Sequence, residues 1–470
     1  MSDRQERPAT RVERDSMGEM EVPADALYGA STQRAVINFP ISGQPMPREL
    51  IAALGLVKAA AARTNAALGL LDGEVADAIA AAAEDVAGGA HDDQFPIDVY
   101  QTGSGTSTNM NANEVIAHLA SERLGGRRVH PNDDVNKCQS SNDVIPTAIQ
   151  LSAAIAIERQ LLPALETLHR ALAAQAEELD GIVKTGRTHL QDATPIRLGQ
   201  EFTGYAGQVA EAMRRARAAR DELLSVPLGG TAVGTGINAH PDYAPQTCAR
   251  LSEATGLAVR ETDNHFHAQA ALDAVIAAHG ALRAIALGLW KIASDVRLMG
   301  MGPRAGVAEL ALPETQPGSS IMPGKVNPVI VESLTMVVAR VVGNDATVGF
   351  AQTGSFLELN VMMPVAAASI LESIRLLANG ARNFADRCVA GLRATERGPQ
   401  LVELGLMLAT ALAPVIGYDA AAKLAKEAFA SGRTIRELAL ERGIAADQLD
   451  ELLDPLAMTR PGLEGGPAGG

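Results

Sequence analysis

Apolar residues recur at three- and four-residue intervals over long stretches of the chain. Leu161, Leu165, Leu168 and Leu172 form one such row; Phe202, Tyr205, Val209 and Met213 form another, with Arg214, Arg215 and Arg217 nearby for its polar side. That spacing gathers side chains on one face of an α-helix, so both rows predict amphipathic helices. The same pattern predicts long helices over 144–180, 197–224, 263–298, 329–345 and 363–390, separated by Gly- or Pro-rich connections. Together they predict a mainly all-α chain with a central five-helix domain. Residues 329–345 are apolar on nearly every face, which predicts burial by other helices, partner subunits included. Glu332 within that stretch then needs a partner, because burying an unpaired carboxylate is costly. Residues 1–15 and the Gly- and Pro-rich tail from Pro461 show no periodicity and are expected to be mobile.

The chain has 470 residues, 47% of them hydrophobic and 3% aromatic. At ~150 residues per domain this length suggests about three domains. There are 40 Lys and Arg against 55 Asp and Glu, a net charge of −15. Nucleic acids are gripped by clustered cations, so this balance argues against a nucleic-acid partner and leaves room for a small anion held by cations gathered locally. Cys138, Cys248 and Cys388 stand far apart with no CxxC spacing. That disfavours a disulfide framework or a cysteine-rich zinc site and fits a cytoplasmic protein. The first residues are charged rather than signal-like, and no uncharged run reaches the ~18–20 residues of a membrane span. No membrane association is expected.

Four polar, glycine-bearing clusters interrupt the helical pattern. QTGSGTSTNMNANE (101–114) sets Ser104, Gly105, Thr106, Ser107 and Thr108 at the start of a helix. Helix N-termini attract anions through free N–H groups, and a simple capping loop fits the same residues. RRVHPNDDVNKCQSSND (127–143) concentrates Arg127, Arg128, His130 and Lys137 beside Asn132, Asn136, Ser140, Ser141 and Asn142. A capping turn accounts for Pro131, Asn132 and Asp133 without a ligand, whereas the SSN run is harder to dismiss. GRTHLQDATP (186–195) places His189 beside Thr188, as an acid, a base or a bystander. His189 is also a candidate partner for Glu332, since a carboxylate behind an imidazole fixes its tautomer and raises its basicity. PGSSIMPGKVNP (317–328) carries Ser319 and Ser320 with Gly318, Pro323 and Gly324, then Lys325, Val326 and Asn327. It reads as a mobile catalytic loop whose N–H groups hold an oxyanion while Lys325 neutralises a carboxylate. GGTAVGTGIN (229–238) lacks GxGxxG spacing and reads as a turn that lines a site, and the His265, His267 pair has no third ligand for a metal.

GSSIMPGKVNP (318–328) resembles the signature of the fumarase/aspartase superfamily. HPNDDVNKCQSSND (130–143), GRTHLQDATP, LGGTAVGTGIN (228–238) and TGSGTSTNMN (102–111) stand in the superfamily's order, so the resemblance spans nearly all the chain outside its tails. Within it the chain is most similar to class II fumarases. Aspartases carry TQLQ where Thr188, His189, Leu190 and Gln191 stand here, and STND where Ser140, Ser141, Asn142 and Asp143 stand. Cys138 occupies a position where many relatives have serine, a better hydrogen-bonding group.

The resemblance implies domains near 1–138, 139–397 and 398–470 and a homotetramer that pools its long helices into a twenty-helix core. Each active site would draw residues from three subunits. The implied reaction is reversible anti hydration of fumarate to L-malate through an aci-carboxylate intermediate, with no metal or organic cofactor. Ser319 is implied as the base, His189 oriented by Glu332 as the acid, and Lys325 and Asn327 as stabilisers of the developing charge. Ser104, Gly105, Thr106, Ser140, Ser141, Asn142, Thr188, Ser320 and Val326 complete the implied substrate site. Arg127, His130, Pro131, Asn132 and Asp133 match a second dicarboxylate site of the family. The rival readings are an aspartate ammonia-lyase and a non-catalytic member of the same superfamily.

Overall fold

The computed structural model describes residues 9–461; expectations for residues 1–8 and 462–470 lie outside them. Mobility was also expected for residues 10–15, and here the structure differs. Thr10–Asp15 (β1) pairs antiparallel with Gly18–Pro23 (β2). Apolar periodicity cannot reveal this hairpin because side chains of other kinds hold it. Arg11 donates to the carbonyls of Pro23, Ala26 and Tyr28, and Arg34 pairs with Asp15 at 2.7 Å.

The helices then follow in order: α1 (Ala30–Asn38), α2 (Arg48–Ala67), α3 (Gly73–Gly88) and α4 (Thr106–Arg123). α5 (Ser141–Ala156) runs through a π-turn at Ile157–Leu161 into α6 (Leu162–Glu178). A hairpin of β3 (Val183–Thr188) and β4 (Gln191–Arg197) precedes α7 (Leu198–Glu222), α8 (Tyr243–Thr255), α9 (His265–Ala270) and α10 (Asp273–Met299). α11 (Val329–Ala351) and α12 (Met363–Arg387) are the last long helices. The five stretches predicted from apolar spacing are therefore helical, with one break: Ala271 is extended, so 263–298 divides into α9 and α10. The chain is mainly helical, and its few strands form two-stranded pairs.

Contacts divide the chain into two units, each built from three segments. The first comprises Met1–Pro163, Met213–Ala286 and Val338–Ala378. Here α2 is nearly enclosed, with Leu50, Leu54, Val57, Ala61 and Lys58 all buried against α3, α4, α5 and α8. Among the helices of this unit, His279 of α10 is fully buried, 2.9 Å from Ser373 Oγ of α12 and 3.1 Å from Asp345 of α11. Burial holds its pKa below the ordinary value against the pull of Asp345. By length and composition α10 could cross a bilayer, but such a helix also serves as the core of a soluble bundle, where this buried polar trio joins it to α11 and α12.

The second unit comprises Ala164–Ala212, Leu287–Val337 and Asn379–Gly470. Its core includes an ion cluster around Glu309, which is 1% exposed. Toward the C-terminus a small apolar cluster of Leu412, Leu424, Ile435, Leu438 and Leu449 closes short helices on one another.

Candidate active site

His189 sits at the tip of the β3–β4 hairpin. Thr188 pairs with Gln191, which leaves His189 and Leu190 as a two-residue turn with φ of 55° and 59°. Two positive φ values match the right-handed twist of the strands, but such turns ordinarily employ Asn or Gly; a histidine and a leucine held there are strained. The base of the hairpin is rigid. Gly186 lies at a bulge where a Cβ would come within 2.5 Å of Thr194 O. Arg187 donates to both oxygens of Glu309 at 2.8 and 3.0 Å, and Lys184 reaches Glu201 at 3.1 Å and Glu309 at 3.6 Å. Thr188 and His189 project from this brace, exposed.

Glu332 differs from its expectation. It is exposed on the first turn of α11, and among the described residues no hydrogen bond or ion pair joins it to His189. The physical reason is that α11 is covered on one side only. Val331, Leu334, Val338, Val341 and Val348 are buried, while Met336 and Phe350 are 67% and 65% exposed.

The loop before α11 is tied shut on itself. Gly318 N donates to Lys325 O at 2.8 Å, and Asn327 Nδ2 donates to Gly318 O at 2.6 Å. Within that closure Ser319 Oγ accepts the backbone N–H groups of Ile321 and Met322 at 3.3 and 2.9 Å. Two N–H dipoles aimed at one hydroxyl oxygen favour its anion. Ser320, Lys325 and Val326 are exposed. Lys325 and Asn327 line a cavity of about 690 Å³, which Arg297 and Arg397 also border.

The first unit holds the other candidates. Gly105, with φ 72°, begins α4 without any side-chain cap, so the helix start stays available beside Thr106, whose hydroxyl is 2.8 Å from that of Ser104. Ser140 caps α5 through a capping box with Asp143. Asn109 Nδ2 donates to Ser141 Oγ at 3.0 Å, and Asn142 Nδ2 donates to Ala232 O at 2.8 Å. Asp143, fully buried, accepts N–H groups from Ser140, Gly229 and Thr231 at 2.9, 2.9 and 3.0 Å. Burial pushes its carboxyl up, while those three donors and Lys58 pull it down. The carboxylate thus pins the SSN segment to the Gly-rich turn at 229–231, which the sequence suggests only as a turn lining a site.

Of the remaining cluster, His130 acts as a cap. Its Nδ1 accepts from Asn132 N and Asp133 N at 3.3 and 3.1 Å, over the π-turn Pro131–Val135. Arg127 faces Asp72 and Glu74 at 3.6 and 3.5 Å. His130, Pro131 and Asn132 border a cavity of about 650 Å³ that Arg11, Arg14 and Arg128 also line. Capping and binding are compatible here, because capping occupies Nδ1 and leaves Nε2 to meet a ligand.

Lys58, Arg187 and Glu309 escape motif reading. The one visible signal is Lys58 itself, a lone cation in the apolar run ALGLVKAAAA (53–62) at a helical position that must face the core. 

The chain is similar to known proteins over most of its length. The chain matches the lyase family over residues 18–343 and the fumarase C C-terminus family over residues 408–460. It is 53% identical to the class II fumarate hydratase of Methylorubrum extorquens, over 97% of this chain and 98% of that one. It is also 53% identical to the class II fumarate hydratase of Mycobacterium tuberculosis, over 96% of each. A crystal structure of recombinant class II fumarase from Schistosoma mansoni superposes with a TM-score of 0.94 at 39% identity, covering 96% of this chain and 99% of that one. The chain belongs to the class II fumarate hydratase family of lyases.

Proposed function

We propose that the chain catalyses the reversible anti addition of water to fumarate, giving L-malate. The observation that carries this reading is Ser319 Oγ held as the acceptor of two backbone N–H groups in a loop closed by Gly318 and Asn327. The hard step in malate dehydration is removing a proton from C3, next to a carboxylate. As an alkoxide, Ser319 takes that proton, and the electron pair moves into the carboxylate to give the aci-carboxylate. Lys325, with Asn327 beside it, neutralises that developing charge. His189, oriented by Glu332, gives a proton to the C2 hydroxyl, which departs as water. In the hydration direction His189 takes the proton from water and Ser319 returns one to carbon.

Ser104, Gly105, Thr106, Ser140, Ser141, Asn142, Thr188, Ser320 and Val326 hold the two carboxylates. The substrate is thus a four-carbon trans-dicarboxylate, with no cofactor in the scheme. Each site is completed by neighbouring copies in a homotetramer, which supplies the contacts that His189 and Glu332 lack in the single chain. Arg127, His130, Pro131, Asn132 and Asp133 form a second dicarboxylate site away from the chemistry.

An ultraviolet assay of fumarate formation from L-malate tests the reading, with aspartate as the competing substrate. Turnover of malate and none of aspartate is expected. His189→Asn and Ser319→Ala should each lower turnover by about two to four orders of magnitude, the range of a lost general acid or base. Arg127→Ala should change it less than tenfold. Near-normal rates in H189N would remove the imidazole from the mechanism, and a severe loss in R127A would move the chemistry to the other cluster.

A further inference from the structure

Lys58 is a fully buried lysine in an acidic protein, and among the described residues no direct ion pair meets it. Its ammonium donates to two neutral acceptors, Asn136 Oδ1 and Gln139 Oε1, each at 2.9 Å. Among the described residues the third N–H has no acceptor. Buried charges are ordinarily paired directly, whereas here Asp143 acts on Lys58 without an ion pair and offsets only part of its desolvation cost. The two acceptors are not scattered. Both lie in the segment that leads into Ser140, Ser141 and Asn142, and Asn136 Oδ1 also accepts from Asn109 Nδ2, which donates in turn to Ser141 Oγ. A hydrogen-bond chain therefore runs from the ammonium to a hydroxyl of the SSN run. The segment is held in an unusual shape as well, with Cys138 at φ 62° and Asn65 of α2 donating to Lys137 O at 3.1 Å.

We propose that Lys58 is a positioning residue which places a buried positive charge beneath the SSN segment, so that a dicarboxylate bound there completes a charge pair left half-made in the free chain. The inference rests on the reading of Ser140, Ser141 and Asn142 as substrate-binding residues. A dianion arriving above this segment meets an amine that is already desolvated and fixed and that binding can protonate, whereas a surface lysine would have to be stripped of water and ordered first.

The same arrangement makes binding proton-linked. Desolvation lowers the Lys58 pKa from its ordinary value to about 7, and Asp143 of α5 is the one charge acting on it in the opposite sense. Tyr243 of α8 is held well above its ordinary pKa, first by burial and then by Asp143, and so stays neutral. Near neutral pH the free chain thus holds Lys58 in both protonation states. A bound dianion favours the charged form, so binding takes up a proton, and a tenfold gain in affinity accompanies each tenfold gain in the stability of the ammonium.

Succinate, a dianion that cannot be hydrated, is the probe. Its binding to the intact protein is measured calorimetrically at pH 7.5 in buffers of different ionisation enthalpy, for the parent and for Lys58→Met. Expected is an uptake of about half a proton in the parent, with K58M showing that much less uptake, about tenfold weaker succinate binding, and a malate KM raised far more than kcat is lowered. A purely structural lysine would not move the proton count. Parental affinity and proton uptake in K58M overturn the proposal. So does a parent that takes up no proton, a result that needs no variant to fold. Ser141→Ala separates this failure from that of the underlying reading: S141A binding succinate as the parent does discards the SSN segment as the site and the proposal with it. Loss of binding in S141A with none in K58M discards Lys58 alone.

Discussion

Ser319 depends on the residue before it having no side chain. A Cβ on Gly318 would lie 2.5 Å from Lys325 O and 2.8 Å from Asn327 N, well inside van der Waals contact with backbone that cannot swing away. The loop would have to open, and the two N–H groups that Ser319 Oγ accepts would lose their aim. Gly318→Ala is therefore expected to lower malate turnover by about 10²-fold or more, comparable to removing an oxyanion donor, while thermal unfolding shifts by only a few degrees. Parallel kinetics and melting curves check this; full activity in G318A would show that the loop's closure is irrelevant to the chemistry. The serine itself is legible in GSSIMPGKVNP, since the motif announces a Gly-Ser loop followed by a lysine. The N–H donors are not legible, because backbone geometry has no residue letter. Lys58 is legible only as a lone lysine at a core-facing position of an alanine-rich run; its acceptors Asn136 and Gln139 are not, because they lie about 80 residues further along the chain.

At the level of elements, the long helices could be read because their apolar faces are continuous and the period of burial repeats over many turns. The β1–β2 and β3–β4 hairpins could not. β1–β2 is held by Arg11 and Arg34 rather than by an apolar face, and β3–β4 carries polar residues at most positions with an ion cluster beneath it. In that cluster Glu309 is the common acceptor for Arg187 and Lys184. Removing its charge leaves Arg187 without its carboxylate and Lys184 with Glu201 alone, and breaking a buried pair in this way costs about 3–5 kcal/mol. Glu309→Gln should lower the midpoint of denaturant unfolding accordingly. In whatever fraction stays folded, kcat should fall more than KM rises, because the hairpin that carries His189 has lost its base rather than its tip. An unfolding midpoint equal to the parent's would mean that the cluster is no brace. The strained φ values at His189 and Leu190 give the reason to expect sensitivity: a turn that its own residues disfavour persists only where the surroundings over-determine it.

At the scale of the whole molecule, the exposed positions of α11 fall in a regular row. Glu332, Met336, Ala339, Gly343, Ala346 and Phe350 alternate steps of four and three, and every one is exposed in the single chain. That is the narrow seam by which helices pack along one another, with small residues in the middle that permit close approach and larger apolar ones at either side. The sequence predicts a helix too apolar for a surface, whereas the chain itself covers only half of it; periodicity does not distinguish burial within a subunit from burial between subunits. Glu332 shares the seam, so the surface that would bring copies together also carries the carboxylate assigned to orient His189. Assembly and chemistry should then fail together. Met336→Glu and Phe350→Glu place charges on an apolar contact, where each would be buried without a counter-ion. Light scattering should show the tetramer replaced by smaller species. Malate turnover should fall in step with the loss of tetramer as protein is diluted, while helical content measured by circular dichroism holds. A monodisperse, single-chain form of either variant that retained parental turnover would refute the shared site, since it would mean that one copy brings Ser319, His189 and Glu332 to a substrate unaided.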